Sequence, residues 1–290
     1  MGRLSYLQIF SFSTDQVLED PAIKAIYDYP ERGYIYDRNG NLLVGNDPAY
    51  DVMVIPREVK PLDTLEFCSL LGIEKDKFIE KLRKARVYSP RLPSVLVPQL
   101  SKQDYAKLQE KMRKYKGFYI QKRSLRYYDT SSAANVLGYI SEVNEGDLAV
   151  NKYYVQGELK GRTGVERYYE DLLRGRKGVQ YIQKDRFNRD IGPYKNGALD
   201  TLPEQGKQIS ITIDKTLQEY GELLMNGKRG GIVAIEPATG EILSMISGPT
   251  YDPALLVGRE RSKNYTQLYN DTIANPTWDR SIHAQQPPGS

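Results

Sequence analysis

The stretch GGIVAIEPATGEILSMISGPTYDP, residues 230–253, constrains the fold of this chain most tightly. Two runs, 231–235 and 242–247, are rich in apolar and β-branched residues. Pro237-Ala238-Thr239-Gly240 between them puts proline early and glycine late, as a tight turn requires. A β-hairpin is predicted. Both runs are apolar at consecutive rather than alternate positions, so both faces of the sheet are expected to be buried. The chain then passes Asp271 and Trp278-Asp279-Arg280 to Pro287-Pro288-Gly289-Ser290. A rigid Pro-Pro-Gly lead into a serine has the form of an approach to a helix N-terminus.

A chain of 290 residues has room for two domains. Its 40% hydrophobic and 27% charged content is that of a globular protein, and a net charge of +4 is too mild to argue for nucleic acid. Cys68 is the only cysteine and His283 the only histidine, which excludes disulfide scaffolds, Cys/His zinc sites and iron–sulfur clusters within the chain. Carboxylate-only metal sites stay open, but no pattern calls for a metal or a cofactor. Cys68, beside Phe67 and ahead of Leu70-Leu71, reads as a small buried hydrophobe. No apolar window reaches about 18 residues. Residues 4–12, with Leu4, Tyr6, Leu7, Ile9, Phe10 and Phe12, read either as a short core element or as the tail of a membrane anchor.

An α+β pattern follows in order. Asn39-Gly40, between Tyr34-Ile35-Tyr36 and Leu42-Leu43-Val44, predicts a second hairpin, and a separate strand from Val52 ends at Pro56. Asp63 is placed to cap a helix whose stripe is Leu65, Cys68 and Leu71, and a second helix presents Phe78, Ile79 and Leu82. Ser101 starts a third, with Asp104 in an imperfect capping box and an apolar stripe of Tyr105, Leu108, Met112 and Tyr115. Residues 101–130 hold nine Lys and Arg against three acids, interleaved with Tyr115, Phe118, Tyr119, Tyr127 and Tyr128. That composition reads first as a solvated helix face, with acidic lipid head groups or wall polymer as alternatives and nucleic acid as a distant one. A short helix carries Val165, Tyr168, Tyr169, Leu172 and Leu173. The polar stretch 188–207, with Gly192, Gly197 and Gly206, is the expected domain boundary. Ile209, Ile211 and Ile213 then alternate as a strand, and Asp214 caps a helix to about Met225.

The chemical inventory is thin. Nothing positions His283 against a serine as a triad would need, and no glycine-rich phosphate loop precedes a helix. Glu166, Glu170 and Asp171 read as a solvated helix face. Ser290 is the one candidate nucleophile with context. A helix N-terminus favours developing negative charge, and a lysine three residues further on would stand one turn away as base.

Several stretches, in order, resemble the class B penicillin-binding proteins of the elongation type. They are residues 32–40, RGYIYDRNG; Gly138-Tyr139-Ile140-Ser141; GVERYYE from Gly164, with Leu173-Arg174-Gly175; Thr212-Ile213-Asp214 with Leu217-Gln218; the hairpin ending Tyr251-Asp252-Pro253; and Pro287-Pro288-Gly289-Ser290. The resemblance implies an elongated N-terminal pedestal, or dimerisation, domain over 31–205, preceded by a juxtamembrane segment over 1–30. Residues 206–290 would be the first part of a serine transpeptidase domain of the penicillin-binding, β-lactamase-like class. It further implies an extracytoplasmic, membrane-anchored enzyme of cell-wall elongation. Ser290 would be acylated by the D-Ala-D-Ala end of peptidoglycan stem peptides, or by β-lactams, and an acceptor amine would then resolve the acyl-enzyme. The implied partners are a SEDS-family glycosyltransferase and a rod-shape scaffold protein, with no nucleic acid and no cofactor. The family's base lysine and its later motifs fall beyond Ser290, so the sequence as given is expected to lack activity. A non-catalytic interaction module and a penicillin-sensing homologue are the alternatives.

Overall fold

A computed structural model describes residues 23–283, apart from 92, 101, 156, 187–189 and 259. The strands in chain order are β1 (Ile23–Asp28), β2 (Ile35–Tyr36), β3 (Leu42–Val54), β4 (Ser94–Leu100), β5 (Phe118–Tyr128), β6 (Ile140–Glu142), β7 (Leu159–Gly161), β8 (Gly178–Lys184), β9 (Asp190–Pro193), β10 (Ile209–Ser210), β11 (Gly230–Ile235) and β12 (Ile242–Gly248). The helices are α1 (Thr64–Leu71), α2 (Lys75–Tyr88), α3 (Lys102–Gln109), α4 (Ala134–Leu137), α5 (Glu145–Val150), α6 (Gly164–Tyr168), α7 (Glu170–Leu173), α8 (Lys215–Leu224), α9 (Arg261–Asn270) and α10 (Arg280–His283). The fold is mixed α and β, as the sequence predicts.

Two compact units arise. One joins the described residues up to Gly33 with Arg174–Lys207, and the other joins Tyr34–Leu173 with the residues from Gln208 on. In the first, β8 pairs antiparallel with both β1 and β9. Its polar stretch folds onto β8 through the Val179–Thr201 bridge and a hydrogen bond from Tyr181 N to Asp200 Oδ1 at 2.9 Å.

In the second unit the sheet order is β10-β2-β3-β4, with β5 on the other edge of β3. Gly40, at φ +82°, takes the left-handed position that turns β2 into β3. The sequence predicts separate strands around 42–44 and from Val52, but β3 is one strand of 13 residues. Strand β5 pairs along it from Val44–Tyr128 to Val54–Phe118, while β2 covers only its start and β4 its end. Pro48 lies between those two spans, where among the described residues no strand pairs with the second edge of β3, so its missing N–H breaks no ladder there.

Long β3 links two cores. Val52 and Val54 join Phe67, Cys68, Phe78, Leu96, Leu108, Tyr115 and Phe118, while Leu43 and Val44 join Ile35, Tyr128, Leu137 and Leu173. Phe67 centres the first core, 4.3 Å from the Tyr115 ring and 4.7 Å from Phe118. Asp63 caps α1 as predicted, its Oδ1 accepting from Leu65 N and Glu66 N. Two helix faces need correcting. Leu65 is 67% exposed and Phe67 takes its place inside; on α2, Ile79 is 48% exposed, and Ala85 joins Phe78 on the buried side. At 100° per residue Leu65 lies 200° from Phe67 and cannot share its buried face, and Ile79, 100° from Phe78 on the side away from Ala85, turns out of the buried stripe. Cys68 is buried, which raises its thiol pKa.

The hairpin at 230–253 forms in register, Val233 opposite Met245, with Gly240 at φ +77° in the turn. Double-sided burial does not follow. Ser244, Ile246 and Ser247 of β12 are buried, but Ile232, Val233 and Ile235 of β11 stay exposed. Among the described residues β11 pairs only with β12.

Candidate functional site

Most of the stretches that carry the resemblance lie in the second unit. Asp37 is buried and organises its own turn, Oδ1 accepting from Asn39 N at 2.8 Å and Asn41 N at 2.7 Å. Its Oδ2 accepts from Asn41 Nδ2 and, at 3.3 Å, from Lys215 N at the start of α8. Burial disfavours the Asp37 carboxylate, but these hydrogen bonds from Asn41, Lys215 and Asn39 outweigh it and hold the pKa below the usual range. The same turn reaches the next motif. Arg38 N donates to Ile213 O at 3.0 Å, and Asn39 Nδ2 donates to Asp214 Oδ2 at 3.0 Å. Asp214 in turn caps α8 by accepting from Leu217 N, as predicted.

Helix α8 then fixes the hairpin. Gln218, 1% exposed, presents its amide to β12 as a neighbouring strand would: Nε2 donates to Met245 O and Oε1 accepts from Met245 N, both at 2.8 Å. Gly221 faces Ile246 so closely that a Cβ would sit 2.1 Å from its Cδ1. On another side, Glu219 accepts from Thr130 Oγ1 and Glu222 accepts from Ala133 N at 2.6 Å. Burial raises the Glu222 pKa, only partly offset by the bonds from Ala133 and Gln218.

Beyond β12, Arg280 organises the loop that leads into α10. It is 6% exposed, and its guanidinium donates to Ala274 O at 2.8 Å, Asn275 O at 3.1 Å and Trp278 O at 3.3 Å. Burial lowers its pKa, with Arg229 adding to the effect. Ser247 Oγ on β12 accepts from Arg280 N and donates to Trp278 O, tying this loop to the hairpin. Gly231 lets β11 meet α10, since a Cβ there would lie 2.7 Å from Ser281 Cα. His283 lies against Trp278, ring centroids 5.0 Å apart. Ser290 and its Pro-Pro-Gly lead lie outside the described residues.

One cluster contradicts the sequence reading. Glu166 and Glu170 are buried rather than solvated. Arg126 Nε donates to Glu166 Oε1 at 2.6 Å and Arg126 NH1 donates to Asn46 Oδ1 at 2.9 Å, while Glu170 accepts from Tyr154 OH and Gly161 N, each at 2.9 Å. Part of the basic character of 101–130 is thus consumed internally, since Arg123 also pairs with buried Asp51 at 2.9 Å. Glycines admit the close packing around this cluster. Gly138, at φ +77°, would put a Cβ 1.9 Å from Thr163 O, and Gly164, at φ +57°, 2.3 Å from Val136 O.

Two cavities open in this unit. One of about 140 Å³ has Gln99, Arg126, Glu142 and Arg261 in its wall, and an apolar cleft of about 500 Å³ lies between Val136, Val165, Ile211 and Met245. Among the described residues no cluster of His, Cys, Asp or Glu is arranged to hold a metal, and no helix is long and apolar enough to cross a membrane.

Known proteins resemble this chain in sequence and in fold. The Peptidoglycan D,D-transpeptidase MrdA of Acinetobacter baumannii is 33% identical over 100% of this chain and 43% of its own length. MrdA of Escherichia coli K12 is likewise 33% identical, over 100% of this chain and 47% of its own. The chain therefore spans less than half the length of these relatives. Among solved structures, the complex between Penicillin-Binding Protein (PBP2) and MreC from Helicobacter pylori superposes with a TM-score of 0.72 at 24% identity. That match covers 89% of this chain and 49% of the other. Residues 27–211 match the Penicillin-binding Protein dimerisation domain. With most of its length accounted for by that domain, the chain belongs to the penicillin-binding proteins.

Proposed function

We propose that this chain is the pedestal and the opening of the catalytic domain of a peptidoglycan D,D-transpeptidase of cell-wall elongation. Residues 31–205 would form the pedestal, 206–290 the first part of the transpeptidase domain, and 1–30 the segment next to a membrane anchor, with the whole on the extracytoplasmic side. One observation carries the reading: 33% identity to MrdA runs through the entire chain, past the dimerisation domain and into the sequence that ends in Ser290.

In this reading the turn at Asp37 and the clamp of Gln218 on β12 form a platform that steadies the loop anchored by Arg280, which leads to Ser290. The Ser290 hydroxyl attacks the carbonyl of the penultimate D-Ala, terminal D-Ala leaves, and an amine of a neighbouring strand takes the acyl group. A β-lactam takes the place of the stem peptide and leaves a penicilloyl ester. The proton on the attacking hydroxyl needs a base, and a lysine one helical turn past Ser290 would supply it. The 290 residues alone contain no such lysine, so they would not acylate. A SEDS-family glycosyltransferase and a rod-shape scaffold protein are the proposed partners of the pedestal. The Helicobacter pylori relative, solved with MreC, supports the second.

The test is intact mass after brief exposure to penicillin, on the chain extended by its natural downstream sequence. A single penicilloyl adduct that disappears in Ser290→Ala is expected. A folded, extended protein that takes no adduct would overturn the catalytic reading in favour of an interaction module.

A further inference from the structure

Charge is distributed very unevenly along this chain. Residues 57–123, which supply α1, α2, α3 and most of the first core, hold seventeen Lys and Arg against eight Asp and Glu, a net +9. The whole chain nets +4, so everything outside this lobe nets −5. Several of the lobe's acids are already engaged within it. Glu66 pairs with Lys114 at 2.6 Å, Glu74 with Lys77 at 2.9 Å and Glu80 with Lys84 at 2.6 Å, while Asp63 caps α1. The surplus falls on exposed side chains, among them Arg83, Arg86, Lys107, Lys111, Arg113 and Lys116.

On α2 that surplus is organised. Phe78 and Ala85 define the buried side. At 100° per residue, Ile79, Arg83, Arg86 and Val87 fall within a strip about 100° wide on the outer surface, with Asp76 as its one acid. Ile79 is 48% and Val87 82% exposed. A flexible anionic polymer needs only positive charge and gives no role to two aliphatic side chains standing in water. Arginine between aliphatic side chains is instead the make-up of a protein interface, where the apolar groups are buried and the guanidinium groups select the partner's charge.

We propose that the outer strip of α2 is a docking surface for an acidic segment of a partner protein, one that presents aliphatic side chains flanked by carboxylates. Opposite charge on the partner speeds encounter and rejects basic competitors, and the aliphatic contact supplies a part of the affinity that salt does not screen.

The test titrates this chain, by fluorescence anisotropy, with a labelled helical peptide carrying leucine every fourth residue among glutamates. The comparators are a polyglutamate of equal charge, heparin, and vesicles of anionic phospholipid. The leucine-glutamate peptide is expected to bind tightest. Arg83→Glu with Arg86→Glu should weaken it about tenfold or more, and Ile79→Ser with Val87→Ser severalfold. All four positions are on the surface, so unchanged thermal melts separate a lost contact from a lost fold. Should the charge-reversed variant fail to fold, Arg83→Gln with Arg86→Gln gives the same reading. Polyglutamate or heparin binding that ignores Ile79→Ser and Val87→Ser would overturn the proposal in favour of a polymer site. Vesicle binding stronger than peptide binding would reassign it to a membrane. Absence of binding to every probe would end it.

Discussion

Arg126 and Glu166, forty positions apart, meet in the interior with Nε and Oε1 2.6 Å apart, their side chains 1% and 0% exposed. The pair joins β5 to α6, and Asn46 on β3 takes a second guanidinium hydrogen bond. Removing one member leaves a buried charge without its counterion, which costs more than the intact pair contributes. Glu166→Ala should therefore destabilise the chain by about 3–5 kcal/mol. The double replacement Arg126→Met with Glu166→Leu should cost less than the two single changes summed. Urea titrations of the four proteins in a double-mutant cycle would check this, and strict additivity would contradict it.

What could be read from the sequence was set by local chemistry. The Asp63 and Asp214 caps, the turn at Asn39-Gly40 and the hairpin at 230–253 were all legible, because a few adjacent residues decide each of them. Non-local partners decided the rest. The continuity of β3 through Pro48 depends on β5, about seventy residues later, and Glu166 is buried only because Arg126 comes to meet it. A glutamate four residues before a second one, GVERYYE, looks solvated unless a buried arginine is known to face it. Around α8 and the hairpin the structure shows what Asp37, Gln218 and Arg280 hold together, while Ser290 falls outside the described residues.

Glycines at two motif positions should respond very differently to the same change. Gly40 and Gly138 both have positive φ, +82° and +77°, but Gly40 has nothing within 4 Å of a new Cβ, whereas Gly138 would meet Thr163 O at 1.9 Å. Gly40→Ala should cost about 1–2 kcal/mol, the backbone cost alone. Gly138→Ala adds a clash with backbone that cannot rotate away, and should cost more than about 3 kcal/mol or abolish folding. Thermal melts of both variants would check the ordering.

Acidity should act on Glu222 in the opposite sense to Asp37. The Asp37 pKa is lowered on folding, so the stability it confers is present at neutral pH and lost as pH falls through the depressed value. The Glu222 pKa is raised above its ordinary 4.5, so its contribution is most favourable below that value and fades as pH rises through the raised one. Glu222→Gln keeps an oxygen to accept from Ala133 N and Gln218 Nε2 but removes the buried charge. At neutral pH the variant should melt higher than the parent, and the gap should close as the parent's carboxyl becomes protonated. A variant less stable at every pH would contradict this.

The outer strand of the anchoring hairpin should be sticky. Ile232, Val233 and Ile235 are 40%, 39% and 55% exposed on a strand that pairs only with β12 among the described residues. Leu217, Tyr220 and Leu223 of nearby α8 are also exposed. Backbone groups on an open edge beside apolar side chains invite strand addition or self-association. The 290-residue chain should bind a hydrophobic dye and associate as its concentration rises. Val233→Lys, which places a charge on the open strand, should reduce both while costing no more than about 0.5 kcal/mol of stability. Sedimentation velocity with and without the substitution reads the outcome directly. A monodisperse monomer with little dye binding in the parent would contradict this.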